Sequence, residues 1–376
     1  MRFLTIVLLS LAAAVTRAET APVPPPPALP ATAWILVDQD SGAVLASREA
    51  QASVEPASLT KLMTAYAVFH SLRDGKLRLD GEVPVSERAW KAEGSRTFVD
   101  VGTRVPVEVL IQGMIVQSGN DATIALAEAV AGTEETFAAL MNQYAERLGM
   151  RGSHFENSTG LPGATHRMTV ADIARLTRAI IREFPDYYRW YSQREFTWNR
   201  ITQPNRNGLL GRDPSVDGVK TGMTESAGYC LVSSAKRDGM RLVAVVMGTD
   251  SMKAREDASL ALLNYGFSFF ETTRLKAAGE EVAVQRIYKA RGGRAAVGPA
   301  ADLWVTLPRG MAARAAFAVE LAPRVFAPLS ASDRTGVVRA LVDGKVVAEA
   351  PLSPLAEVPR GNLFRRIWDI ILSWFA

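Results

Sequence analysis

Apolar and polar positions follow several distinct periods along the chain, and each period predicts an element. Two short apolar runs at 34–37 and 43–46 flank the turn residues DQDSG and predict a β-hairpin. Apolar residues at helical spacing predict helices at about 58–73, 107–118, 122–130, 134–148 and 170–184. The pattern predicts strands between 216 and 247 and a last helix near 255–270. Strands on both sides of a helical block favour a mixed sheet with helices packed against it.

The pattern changes after about Arg274. Short apolar runs separated by turn residues predict a small β-sandwich domain over 275–358, in which LVDGKVV forms a hairpin turning at Asp343-Gly344. Residues 360–376 gather their polar side chains on one side of a helix that is too short to span a bilayer. We expect an amphipathic helix lying in an anionic membrane surface. The alternative is a helix docked on the protein itself.

The N-terminal residues predict export. Residues 1–18 combine Arg2, an apolar core and small residues before a cleavage position, which is typical of a signal peptide, with an uncleaved anchor as the alternative. A proline-rich spacer follows at 19–31. The formal charge of +4 on 376 residues gives no electrostatic case for nucleic acid. The single cysteine, Cys230, lies in an apolar run and is predicted to be a small buried hydrophobe.

Two segments, SLTK and SSAK, place a serine three residues before a lysine, an arrangement that can activate a nucleophile. Ser58 and Lys61 lie in a predicted helix, where residues three apart share a face. Ser233 and Lys236 lie at the end of a predicted strand, where residues three apart point to opposite faces. The pattern therefore favours Ser58 as the reactive serine, against the alternative of a serine near a helix cap and a solvent-exposed lysine.

Two further motifs strengthen the case for chemistry. QSGNDA supplies Ser118 and Asn120 at the end of a predicted helix, and VDGVKTGMT supplies Lys220, Thr221 and Gly222 on a predicted strand. A Ser-x-x-Lys, a Ser-x-Asn and a Lys-Thr-Gly in this order form a set associated with penicillin-binding proteins and serine β-lactamases. Each motif is weak alone, but their order, spacing and local structure agree.

Longer segments carry a more specific resemblance. LIQGMIVQSGNDA, HFENSTGL, NRNGLLGRDPSVDGVKTG and NYGFSFFET closely resemble the D-alanyl-D-alanine carboxypeptidases of peptidase family S11, among the low-molecular-mass penicillin-binding proteins. The resemblance runs from about Trp34 to the C-terminus. It implies an α/β (α+β) catalytic domain over 32–274, with a helical block and an antiparallel sheet, followed by the β-sandwich domain and the amphipathic helix.

The resemblance implies roles for the residues that match. Ser58 would be the acylated nucleophile and Lys61 its proton acceptor. Ser118 and Asn120 would relay protons and hold the substrate amide. Backbone amides of Ser58 and Met223 would form the oxyanion hole. Some relatives have histidine where this chain has Met223, so a side-chain role at that position is in doubt.

Substrate-binding residues follow from the same resemblance. Lys220 and Thr221, with Gly222, would bind the carboxylate end of the substrate, and their strand would pair with an extended peptide. Arg255 matches an arginine that helps bind the substrate carboxylate, and Arg206 matches a supporting residue.

The implied reaction is removal of the terminal D-alanine from peptidoglycan pentapeptide stems through a Ser58 acyl-enzyme, at the periplasmic face of the inner membrane. β-Lactams would trap the same serine, and no metal or organic cofactor is called for. An endopeptidase that cuts peptide cross-links would share all three motifs. A class A β-lactamase is disfavoured because no Glu-x-x-Leu-Asn segment lies between Asn120 and Lys220. A non-catalytic wall-binding scaffold is the remaining alternative.

Overall fold

The computed structural model describes residues 23–373, so the predicted signal peptide lies outside the described residues. The helices are α1 (Lys61–Arg73), α2 (Glu87–Trp90), α3 (Val107–Gln112), α4 (Asn120–Ala131), α5 (Glu134–Arg147), α6 (Val170–Glu183), α7 (Pro185–Tyr188), α8 (Leu209–Arg212), α9 (Met252–Phe269) and α10 (Leu363–Ser373). The strands are β1 (Ala33–Asp38), β2 (Val44–Arg48), β3 (Glu82–Pro84), β4 (Arg104–Pro106), β5 (Glu195–Trp198), β6 (Ile201–Pro204), β7 (Val216–Thr224), β8 (Gly228–Arg237), β9 (Met240–Thr249), β10 (Phe270–Lys276), β11 (Ala283–Arg286), β12 (Arg294–Pro299), β13 (Leu303–Pro308), β14 (Ala315–Leu321), β15 (Gly336–Val342) and β16 (Lys345–Pro354).

A five-stranded antiparallel sheet organises the first two thirds of the chain. Its order is β2-β1-β9-β8-β7, which places β7 at an edge. The predicted N-terminal hairpin is confirmed as β1 and β2. One face of the sheet packs against α9 and part of the proline-rich spacer, and the other face packs against the helical block. Because both faces are covered, strands β8 and β9 are almost wholly buried.

Two predicted helices differ from the structure at the positions that matter for function. The helix predicted at 58–73 is a 3₁₀ turn over Ala57–Thr60 followed by α1, because Ala57 has a left-handed φ of 47° that prevents regular helix there. The helix predicted at 107–118 is α3 followed by a π-helical segment over Gly113–Gln117, and it ends at Ser118 with φ 64°. Irregular turns of this kind concentrate at functional sites.

The chain between β10 and β16 is built mainly of β-strands, as predicted. One sheet has the order β11-β12-β16-β15-β14, and β10 pairs with β13 beside it. The predicted hairpin turn is confirmed, since β15 and β16 meet at Asp343-Gly344 with positive φ at both residues. Side chains tie this part to the first sheet: the Thr272 hydroxyl donates to the Asp38 carboxylate at 2.7 Å.

The terminal helix α10 lies against the β-rich part through its polar side. Asp369 is only 4% exposed and accepts a hydrogen bond from the Lys289 backbone N–H at 2.6 Å. The opposite side presents large apolar residues to solvent, among them Phe364 at 86% and Trp368 at 62% exposure. None of the helices within residues 23–373 combines the length and the hydropathy that a transmembrane span requires.

Candidate active site

A cleft of about 480 Å³ opens between the helical block and the edge of the five-stranded sheet. The 3₁₀ turn brings Ser58 to its floor, and strand β7 forms one wall. Sequence-predicted residues that line it are Ser58, Ser118, Asn120, Arg206, Thr221, Gly222, Met223 and Arg255. The remaining two, Lys61 and Lys220, lie directly behind the lining, each hydrogen-bonded to one of its serines. All ten predicted residues therefore come together around one cavity.

Lys61 is the immediate neighbour of Ser58. Its amine lies 3.0 Å from the Ser58 Oγ and donates to the Thr159 carbonyl oxygen at 2.7 Å. Lys61 is 1% exposed, and this burial, with a smaller contribution from Arg206, lowers its pKa to about 7. A neutral amine held by Thr159 keeps a lone pair that can accept the Ser58 hydroxyl proton.

Ser118 and Lys220 form a second serine–lysine pair on the other wall. The Lys220 amine donates to the Ser118 Oγ at 2.9 Å and to the Thr221 carbonyl oxygen at 3.0 Å. The pKa of Lys220 is lowered well below its ordinary value, mainly by burial and then by the charge of Lys61. Because Lys220 supplies the donor to this hydroxyl, the Ser118 proton is left to point toward the cleft.

The Asn120 side chain is fixed through its nitrogen, which leaves its oxygen available as a hydrogen-bond acceptor. Its side-chain nitrogen donates to the Glu93 carbonyl oxygen at 2.6 Å, whereas its buried Oδ1 has no partner among the described residues. A buried acceptor without a partner is costly, so the atom is suited to accept an N–H from a bound peptide.

The wall formed by β7 approaches the nucleophile turn closely. A Cβ added to Gly222 would lie 3.2 Å from the Pro56 carbonyl oxygen and 3.3 Å from the Ala57 Cβ, tighter than ordinary packing. Glycine therefore permits the strand to come this close. Within the described residues 23–373, β7 pairs with β8 and with no other strand, so its outer edge can pair with an extended ligand.

Two arginines make the cleft cationic. Arg255 is 3% exposed, and its guanidinium lies within 3.4 Å of the carbonyl oxygens of Gly222, Cys230 and Arg206. Arg206 donates to the Gln117 side chain at 2.7 Å and lines the cleft beside it. Together these two guanidiniums favour a ligand that carries a carboxylate.

The second Ser-x-x-Lys does not form a comparable pair. Ser233 is buried in β8, opposite Val219 of β7, whereas Lys236 is exposed near the end of the same strand. The prediction from strand alternation is confirmed. Cys230 is likewise buried and unpaired, as predicted.

The segment that holds the Lys61 amine, residues 159–161, lies outside the three catalytic motifs. Thr159 supplies the carbonyl that fixes Lys61, and Gly160, with φ 88°, lies so close to the Ala57 carbonyl oxygen that a Cβ would collide with it. Leu161 completes this side of the cleft. The segment HFENSTGL contributed to the resemblance, so a signal was present, but a backbone carbonyl has no side-chain signature.

Comparison with known proteins agrees with this geometry. Residues 18–251 match the Peptidase_S11 family, described as D-alanyl-D-alanine carboxypeptidase, and residues 270–360 match the penicillin-binding protein 5, C-terminal domain. The chain is 39% identical over 361 residues to the D-alanyl-D-alanine carboxypeptidase DacA of Escherichia coli (strain K12), covering 94% of this chain and 90% of that protein. The chain belongs to the D-alanyl-D-alanine carboxypeptidase family. It is thus a serine-type hydrolase, as the resemblance implied.

Solved structures extend the comparison to the fold of the carboxypeptidase. Penicillin-binding protein 5 from Haemophilus influenzae aligns with a TM-score of 0.81 at 39% identity, covering 89% of this chain and 99% of that one. Penicillin-binding protein D2 from Listeria monocytogenes, solved in an ampicillin-bound form, aligns with a TM-score of 0.58 at 28% identity over 65% of this chain. The predicted fold, a helical block with an antiparallel sheet followed by a β-domain, is confirmed.

Proposed function

We propose that Ser58 is the acylated nucleophile of this carboxypeptidase and that Lys61 is its general base. The observation that carries the proposal is the 3.0 Å contact between the Ser58 Oγ and a buried amine whose pKa is lowered to about 7. An amine with that pKa is partly unprotonated at neutral pH and can take the serine proton during attack.

The substrate is the pentapeptide stem of peptidoglycan, bound along the outer edge of β7. Its terminal carboxylate lies against Thr221 and the cationic wall of Lys220, Arg255 and Arg206. Its amide N–H donates to the free Oδ1 of Asn120. The backbone amides of Ser58 and Met223 stabilise the tetrahedral oxyanion.

The reaction proceeds in two transfers. The Ser58 oxygen attacks the carbonyl carbon between the two terminal D-alanines, and its proton passes to Lys61. The leaving amine takes a proton from the Ser118 hydroxyl, which Lys220 reprotonates, and the last D-alanine departs. Water then attacks the ester carbonyl and gives one proton, through Ser118, to the Lys220 amine. Lys61 returns its proton to the departing Ser58 oxygen, so the Ser58 hydroxyl and both lysines regain their starting states. β-Lactams acylate the same serine, which accords with the ampicillin-bound Listeria relative.

We also propose a periplasmic location at the face of the inner membrane. Residues 1–18 would direct export and 19–31 would be a spacer. The catalytic domain would span 32–274, the β-sandwich 275–358 and the anchor 360–376, lying in an anionic membrane surface. The exposed apolar side of α10 supports this proposal, because apolar residues such as Phe364 and Trp368 gain by burial at a bilayer interface.

The catalytic proposal is tested with protein lacking the signal and residues 360–376. D-Alanine release from a muramyl pentapeptide, and a covalent penicillin adduct detected by mass spectrometry, are both expected to vanish in Ser58→Ala. Ser233→Ala, which changes the other Ser-x-x-Lys, is the matched control and retains both. Cleavage of cross-linked dimers without D-alanine release would instead establish the endopeptidase alternative.

The anchor is tested by removing 362–376 from the mature chain. The truncated protein is expected to leave the membrane fraction, while penicillin labelling stays unchanged. Continued sedimentation with membranes would contradict the anchor.

A further inference from the structure

A strongly basic loop lies beside the terminal helix. Residues 286–294, RIYKARGGR, carry Arg286, Lys289, Arg291 and Arg294 with no acidic residue among them. We refer to these residues as the basic loop. It connects β11 to β12 at the end of the β-domain from which α10 leaves.

The loop and the helix are joined by backbone contacts. The Gly361 N–H donates to the Lys289 carbonyl oxygen at 2.7 Å, and the Arg291 N–H donates to the Pro359 carbonyl oxygen at 3.0 Å. From the helix, buried Asp369 accepts the Lys289 N–H, and the guanidinium of Arg365 lies against Gly293. These contacts fix the helix relative to the loop.

The charges of the loop are only partly compensated. Arg286 and Arg294 lie directly opposite each other on β11 and β12, an arrangement of like charges that destabilises a sheet. Arg286 lies 3.8 Å from Asp369, but Arg291 and Arg294 form no ion pair within the described part of the chain. Both are exposed.

The uncompensated arginines border a groove of about 470 Å³ with a largely apolar lining. Its walls include Ala295, Ala296, Leu355, Val358 and Pro359, and Glu357 is its one acidic residue among those described. A second hollow is lined by Arg286, Phe364, Arg365, Trp368, Asp369 and Leu372. It places Arg286, the cross-strand neighbour of Arg294, beside the apolar side of α10. Cationic and apolar surfaces are therefore continuous at this end of the molecule.

We propose that the basic loop binds the headgroups of anionic phospholipids when α10 lies in the membrane. This inference rests on the membrane association proposed above and adds a second contact, made by the β-domain itself. An anionic bilayer is the occupant that the charge and the neighbouring apolar helix fit together: arginine guanidiniums bind phosphate, and Phe364 and Trp368 enter the interface. The contact would orient the β-domain on the bilayer as well as hold it there.

The test compares two double variants of the mature, full-length chain in vesicle flotation. Arg291→Gln/Arg294→Gln removes two charges from the groove. Arg314→Gln/Lys345→Gln is the control and removes the same amount of charge near the β15–β16 turn. At about 3.3 Å per residue, this turn lies about 30 Å along β16 from the strand end that leads to α10. Vesicles contain phosphatidylethanolamine with or without phosphatidylglycerol.

We expect the groove variant to bind anionic vesicles roughly 30-fold more weakly, about fivefold for each charge, at low salt. The difference should shrink as salt is raised. Binding to phosphatidylethanolamine alone, and penicillin labelling, should match the parent. The control variant should stay within about twofold of the parent on both vesicle types, because its charges lie away from the bilayer.

The outcomes separate the two proposals. One outcome is that the parent binds anionic vesicles while the groove and control variants lose the same amount of vesicle affinity, or none. In that case the basic loop is not a lipid contact, and the proposed anchor is unaffected. If the parent binds neither vesicle type, both the anchor and the loop contact fail. The proposal would also be contradicted if the groove variant lost as much affinity for neutral vesicles as for anionic vesicles, because the effect would then not depend on headgroup charge.

Discussion

The cleft and the basic loop both contain several lysine and arginine side chains, but the lysines of the cleft are buried, whereas the arginines of the loop are exposed. In the cleft, Lys61 and Lys220 are almost fully buried, and burial lowers the pKa of each. In the loop, Arg291 and Arg294 stay exposed, and arginine keeps its charge at any physiological pH. Burial therefore converts an amine into a proton carrier, whereas exposure leaves a fixed charge for long-range attraction.

The residue types follow from this difference. A guanidinium cannot act as a base, so the position beside Ser58 requires lysine. Arg255 combines features of both groups, because it is an arginine that is buried like the lysines. The backbone carbonyl oxygens of Gly222, Cys230 and Arg206 accept hydrogen bonds from its guanidinium and stabilise the charge. It can hold a carboxylate without exchanging protons.

The largest expected effect tests the role of burial at Lys61. Lys61→Arg places a permanently charged group beside Ser58 that cannot act as a base, so penicillin acylation should fall by about a thousandfold. In the parent the acylation rate should decline as pH drops below about 7, because the amine becomes protonated there. Stopped-flow acylation across pH measures both. An unchanged rate in Lys61→Arg would show that another group takes the serine proton.

A second prediction concerns the backbone that fixes this geometry. In Gly160→Ala the added Cβ meets the Ala57 carbonyl oxygen at a φ of 88°, which displaces the nucleophile turn. A displacement of about 1 Å can lower the rate by about a hundredfold, and we expect this loss in acylation. Gly211→Ala, which has open space around its Cβ, is the control and should keep the parental rate. Equal rates for both variants would contradict the proposed role of Gly160.

The next effect is smaller and applies to the other end of the molecule. Asp369→Ala removes the buried acceptor of the Lys289 N–H and should weaken helix docking by about 1–3 kcal/mol. Amide hydrogen exchange in 363–373 should become faster, with less change in Asp369→Asn, which retains an acceptor. Glu349→Ala, an exposed acid of the β-domain, is the control. Unaltered exchange in Asp369→Ala would mean that other contacts dock the helix.

The sequence predicted the cleft better than the docked helix, for a physical reason. Ser58 and Lys61 could be identified because side chains three apart on a helical turn must meet, and the partners at Ser118 and Lys220 bear recognisable motifs. The docking contact joins Asp369 to a backbone N–H far away in the chain. An amphipathic pattern shows which side of a helix is polar, but it does not show whether water or protein covers that side.

The same limit applies inside the cleft. The carbonyl oxygens of Thr159 and Glu93 fix Lys61 and Asn120, and a carbonyl is common to every residue. The left-handed backbone at Ala57 was not predicted either, since alanine rarely adopts it. The turn packs closely against Gly160 and Gly222, which are distant in the chain, so the local sequence does not show what surrounds it.

The smallest expected effect concerns Met223, which is 54% exposed at the rim of the cleft. Met223→His introduces a group that titrates near pH 6.5, so a new inflection in kcat/KM near that pH is expected. The proposed oxyanion contact uses the backbone amide, which both residues provide, so the change at neutral pH should be less than about tenfold. Met223→Leu, without a titrating group, should show no new inflection. A hundredfold change in either variant would mean that the side chain itself takes part in transition-state binding, so that an exposed residue at the rim would act in the reaction beside the buried lysines.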